Sequence, residues 1–159
     1  MGLYFKLCAV ACVMAFATQT LHAEDADTLS SKYFELAADE KNDAECKKIG
    51  ASFLEAAKTD ADGLNEFAWK VMTEDGIKKR DLDLAMRVAK AAFDLSEGKN
   101  AAIVDTYARA FFDAGKHEEG IKWQKKAIEV CTDDGLKSEL EETLKSYITK
   151  AAEKKDAKK

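Results

Sequence analysis

The chain has 159 residues, 47% of them hydrophobic and 35% charged, and contains no proline. That is enough for one continuous core but not two, too apolar for a disordered chain, and free of the commonest helix breaker, so a single, almost all-helical domain is expected. Lysine and arginine number 25 against 30 acidic residues, with the two signs interleaved, a balance that does not favour nucleic-acid binding.

Residues 1–23 read as an address rather than as structure. Lys6 supplies a small positive start, Leu7 to Ala17 is an apolar run, and Ala23 closes the segment just before an acidic stretch. This is the pattern of a cleaved signal peptide and predicts an exported chain, periplasmic or extracellular. Cleavage after Ala17, in the small-x-small triplet Ala15-Phe16-Ala17, is the alternative. The apolar run is about eleven residues, well short of the roughly 20 that cross a bilayer as a helix, so no stable membrane span is expected.

Downstream, apolar residues recur with the period of helices packed on one side. Leu29, Tyr33, Leu36 and Ala37, then Cys46, Ile49, Gly50, Phe53, Leu54 and Ala57, suggest a first, diverged helix pair. A second pair follows. Leu64, Phe67, Ala68, Val71 and Met72 form one face, Asp75-Gly76 stops it, and Leu82, Ala85, Val88, Ala89, Ala92 and Phe93 form the next, ending at Gly98. In the third pair Ile103, Val104, Tyr107, Ala108 and Phe111 are followed by Ile121, Gln124, Ala127, Ile128 and Cys131. Gly115 is placed to take the left-handed conformation between these two helices, and Gly120 to permit their closest approach. Asp81 and Asn100 are suited to cap the helices that begin after them.

The second and third pairs echo each other. Ala85 aligns with Gly120 and Ala68 with Ala108, with an insertion in the earlier pair around Thr73 to Arg80. A last helix runs from Asp133 to about Ala152, with Leu136, Leu140, Leu144, Tyr147 and Ile148 on one side and Lys137, Glu141, Glu142 and Lys145 on the other. Asp133 and Asp134 suit the dipole at its start. Residues 153–159 read as a charged, flexible tail.

Two cysteines remain after export, Cys46 and Cys131. On second helices two repeats apart they lie roughly 20 Å from each other, from helix spacings of about 8 to 10 Å. A disulfide needs Cα atoms within about 7 Å, so two unpaired, largely buried thiols are expected. No C-x-x-C, phosphate loop, dinucleotide fingerprint or H-E-x-x-H occurs in the mature chain. The one mature histidine, His117, reads as an exposed residue at a helix start, and no pair of acids stands apart. No enzyme activity, cofactor or metal is expected.

On its third pair the chain resembles the tetratricopeptide (TPR) repeat family. The family pattern meets Val104, Tyr107-Ala108, Phe111, Gly120, Gln124, Ala127 and Thr132 here, keeping the spacing while replacing Trp, the closing Pro and the aromatic of the second helix. Residues Leu64 to Ile128 are also similar to the helical repeat region that follows thioredoxin-like domains in some exported bacterial proteins. The resemblance implies an all-α, TPR-like α-α superhelix over residues 24–152, a solenoid of antiparallel helix pairs with a C-terminal capping helix.

It also implies a protein or peptide partner bound at a concave face lined by the first helix of each pair. Those residues are Asn65, Trp69 and Met72 in one pair, and Asp105, Arg109, Phe112 and Asp113 in the next. Trp69, Phe112 and Arg109 stand at the edges of their apolar stripes, so partial exposure is expected, and aromatics with Arg are the usual anchors of an interface. The plainer reading is that Trp69 and Phe112 complete packing between pairs while Arg109 pairs with Asp105 or Asp113 one helical turn away. The family's Lys- and Asn-based grip on a peptide carboxyl terminus is not matched, since only Arg109 and Asn65 would contribute. The alternative function is an accessory envelope protein that self-associates or docks on an envelope enzyme without a peptide groove.

Overall fold

Five helices begin on a side chain that accepts a hydrogen bond from the backbone of the first turn. In the computed structural model, which describes residues 24–156, Asp25 accepts from the Thr28 amide at 2.8 Å, Asp60 from Gly63 at 3.0 Å and Asp81 from Leu84 at 2.9 Å. Asn100 accepts from Ala102 at 3.0 Å and Asp133 from Leu136 at 2.7 Å. Each cap satisfies a backbone donor that has no partner inside its helix, and the four aspartates also meet the positive end of the dipole. Asn100→Ala is expected to lower the unfolding free energy by about 1 kcal/mol. Urea denaturation followed by circular dichroism measures this, and an unchanged midpoint would show that water caps the helix as well.

Those five are among seven helices, α1 (Ala26–Ala37), α2 (Asp43–Ala56), α3 (Ala61–Thr73), α4 (Leu82–Leu95), α5 (Ala101–Asp113), α6 (His117–Val130) and α7 (Asp134–Asp156), with one 3-10 turn at Glu40–Asn42; α2 and α6 start without a side-chain cap. The described chain is all-α, without strands. The expected signal peptide, residues 1–23, lies outside the described residues, as do residues 157–159. Among the described residues no helix is long and apolar enough to cross a membrane. α7 continues past Ala152 to Asp156, so residues 153–156, expected in the tail, are helical.

Short connections fold the chain into three hairpins, α1–α2, α3–α4 and α5–α6, with α7 laid on α6. Successive hairpins touch through α2 against α4 and α3 against α5, and the second and third pack most extensively through α4 against α5. Gly115, at φ 81°, takes the left-handed conformation that turns α5 into α6. A Cβ added at Gly120 would lie 2.9 Å from Phe112 Cβ and 3.1 Å from Ala108 O, so the absence of a side chain sets how closely these two helices approach.

One core runs through the first two hairpins and centres on Phe67. Its ring stacks on Phe53 at 3.9 Å between centroids and meets Tyr33 at 4.9 Å and Phe34 at 5.3 Å, which ties α1, α2 and α3 together. A second cluster, Ala101, Val104, Ala127, Cys131 and Leu140, holds α5, α6 and α7. Phe93, Tyr107 and Trp123 join the two, with centroids about 5 Å apart. Cys46 and Cys131 are buried and free.

The insertion after α3 is not a loose loop. Arg80 donates from Nη1 to the Val71 carbonyl at 3.0 Å and from Nη2 to the Glu74 carbonyl at 2.8 Å, so its guanidinium closes the C-terminal end of α3. Lys79 bonds Asp43 at 3.1 Å and the Lys78 amide reaches the Ala37 carbonyl at 3.4 Å, tying the same segment to the first hairpin.

Candidate functional site

Residues expected at a binding face are divided by the structure into two environments. Trp69 on α3 is 39% exposed, and Arg109 on α5 sets its guanidinium carbon 5.8 Å from the centre of the indole. Arg109 Nε donates to Asp113 Oδ2 at 2.7 Å, one turn along the same helix. Burial pulls the guanidinium's proton affinity down, but the bond to Asp113 and its charge outweigh this and leave it raised, so Arg109 stays charged. A cation fixed from behind by a carboxylate and flanked by an exposed aromatic is a pre-ordered contact point.

Met72 and Phe112 are not on the open surface. Met72 is 2% exposed and Phe112 8%. The Phe112 ring stacks on Tyr147 of α7 at 3.9 Å and 8° between planes, so the expected partial exposure of Phe112 fails because α7 covers it. Phe111, expected in the buried stripe of α5, is only half-buried. The stripe closes on its neighbour Phe112 instead, the residue that faces Gly120. Asn65, one turn before Trp69, is half-buried, and its Oδ1 is enclosed without a hydrogen-bond partner among the described residues.

Asp105 belongs to the interior joint rather than to the Trp69 side. Its Oδ1 accepts from Gln124 Nε2 at 2.7 Å, and the same nitrogen lies 3.3 Å from the Leu140 carbonyl, so one fully buried amide links α5, α6 and α7. Burial pushes the Asp105 carboxyl up, the Gln124 bond and the Arg109 charge oppose it, and Glu139 adds to it. A carboxyl raised on folding binds its proton more tightly in the folded chain. Its contribution to stability is therefore full below the ordinary value of 3.8 and is lost as pH rises through the raised folded value. Asp105→Asn, which keeps the acceptor for Gln124, is expected to raise the melting temperature at pH 7 and to leave it nearly unchanged at pH 3. An equal gain at both values would assign the effect to packing instead of charge.

A recess of about 340 Å³ opens between the α3–α4 connection and the end of α5, lined by Met72, Arg80, Leu82, Arg109, Phe112, Asp113 and Lys154. Four of the residues expected at a binding face thus share it, with Trp69 at the flank of Arg109. Arg80, Leu82 and Lys154 were not anticipated. Arg80 lies in the insertion and Lys154 in the segment expected to be tail. The one sequence signal for Lys154 was Ala151, a small residue on the Leu144–Tyr147 stripe, and it is buried. His117, expected to be exposed, is half-buried, its ring 4.7 Å from Phe112 and its Nε2 3.2 Å from Lys154 Nζ.

No protein-family model matches this chain, and comparison with curated proteins and with solved structures gives no match.

Proposed function

We propose that this is an exported, TPR-like interaction module that holds a peptide segment of a partner protein along the wall formed by α3, α5 and α7. The architecture is supported by the way hairpins touch: first helices meet first helices through Phe67, Tyr33 and Phe34, and second helices meet through Gly50 and Leu84. That is how helix pairs stack when each buries its apolar face on the next. The observation carrying the function is the exposed Trp69 ring beside a guanidinium already immobilised by Asp113. Such a pair offers apolar area and a fixed charge at little ordering cost, which is what interface anchors provide.

Trp69→Ala is the test, because its side chain can be removed without opening the core. Helicity and melting temperature are expected to stay close to wild type, whereas retention of a partner from the native envelope extract is expected to fall by about tenfold or more, the effect of losing an anchor worth about 2 kcal/mol. A partner retained equally well by the variant, or none retained by the wild type, would exclude this wall as the binding face.

A further inference from the structure

The recess beside Trp69 differs in charge from the rest of the molecule. The chain as a whole carries −5, yet three cations, Arg80, Arg109 and Lys154, line this recess against a single acid, Asp113. That acid is already engaged by Arg109 Nε at 2.7 Å. Among the described residues neither Arg80 nor Lys154 forms an ion pair: Arg80 donates to two backbone carbonyls, and Lys154 Nζ lies beside an imidazole nitrogen. Positive charge is thus gathered from three separate parts of the fold, with Asp113 as the one acid in the lining.

We propose that this recess is a carboxylate subsite that receives a Glu or Asp side chain from an extended, acidic partner segment. The inference rests on the reading of the α3–α5–α7 wall as a peptide-binding face and specifies the chemistry of its ligand. Three features favour a carboxylate. Both guanidinium groups are held by the fold before any ligand arrives, Arg109 by Asp113 and Trp69 and Arg80 by the carbonyls of Val71 and Glu74, so little side-chain freedom remains to be lost. The walls supplied by Met72, Leu82 and Phe112 are apolar, which strengthens charge–charge attraction inside relative to open water. Guanidinium groups also match the planar, two-oxygen geometry of a carboxylate. A segment that lays an apolar side chain on Trp69 and continues along the wall presents the recess with a side chain and not with its chain end.

Calorimetric titration with three short synthetic peptides tests this. The first is a capped Gly-Leu-Glu-Glu-Leu-Gly, the second its capped Gln-Gln counterpart, and the third the Gln-Gln peptide with a free carboxyl terminus. The capped Glu peptide is expected to bind about tenfold tighter than the capped Gln peptide at low salt, a gap that closes in about 1 M salt, where charges are screened within a few ångströms. Lys154→Gln, an exposed change on α7, is expected to weaken the Glu peptide several-fold and leave the Gln peptide unchanged. Equal binding of the two capped peptides, both abolished by Trp69→Ala, would overturn the carboxylate subsite and leave the peptide-binding wall intact. Tighter binding of the free-carboxyl peptide than of the Glu peptide would overturn the side-chain occupant. Absence of binding by every peptide at millimolar concentration would count against both readings.

Discussion

Phe67→Ala is expected to lower the unfolding free energy by about 3–5 kcal/mol, a large share of the roughly 5–15 kcal/mol that holds an average domain folded. The ring is 1% exposed and is the meeting point of three helices: it stacks on Phe53 of α2 and touches Tyr33 and Phe34 of α1. Removing it costs the transfer energy of the ring and the contacts of the atoms left facing the cavity, because helices anchored at several other points close in only partly. The loss also strips α1 of its principal aromatic partner on α3, so the first hairpin is expected to melt before the rest. Urea unfolding followed by circular dichroism, with proteolysis mapping which bonds are cut first, checks both statements. A loss below about 1 kcal/mol would mean that the ring is not the centre of this core.

Gly120→Val is expected to cost about 2–3 kcal/mol, the upper part of the range for forcing extra atoms into a packed interior. The obstacle is rigid. An added Cβ would sit 2.9 Å from Phe112 Cβ and 3.1 Å from Phe112 Cα and Ala108 O, none of which is the free end of a flexible side chain. The helices must separate, and Phe112 moves with α5, which pulls its ring away from the stacked Tyr147 of α7. Valine is only a slightly better helix former than glycine, so propensity returns a few tenths of a kcal/mol against this. The measurable result is a lower melting temperature together with faster amide exchange along α7. Unchanged exchange in α7 would show that Gln124 and the cluster around Leu140 hold this helix without the Phe112–Tyr147 stack.

Trp69→Ala, by contrast, removes a side chain that is 39% exposed and is not one of the buried core residues, so its expected effect lies on binding. That contrast between Phe67 and Trp69, two residues apart on one helix, states the division of labour across α3.

Much of this organisation was legible in the sequence because helix periodicity is a local property. The apolar stripes that read as three pairs are the buried faces of α1 to α6, and Asp81, Asn100 and Gly115 do at their positions what their side chains, or the lack of one, predict. Gly120 was legible for the same reason: a glycine in mid-helix marks either a weakness or a close approach. The exchange of Phe111 for Phe112 was not. Adjacent residues on a helix stand about 100° apart, and either could have closed the stripe until α7 arrived to cover one of them.

The binding residues were legible only in part. Trp69, Arg109 and Asp113 come together because α3 and α5 are neighbours, which the repeat pattern implies. Asp105 turns towards Gln124 instead, since its half-buried carboxylate accepts from an amide nitrogen that the core encloses and that reaches only Asp105 and the Leu140 carbonyl. In the charged segment ending in lysines, Ala151 alone was a local sign that α7 would continue far enough to deliver Lys154 to the recess.

By itself, then, the order of apolar, capping and glycine positions determined how many helices form in residues 24–156, where they start and which faces they bury, because those choices depend on neighbours within a turn or two of the chain. Which half-buried side chains end up sharing a recess, and with what charge, was decided only when α3, the Arg80 segment, α5 and α7 were brought together. That depends on contacts between residues far apart in sequence, whose distances no local pattern encodes.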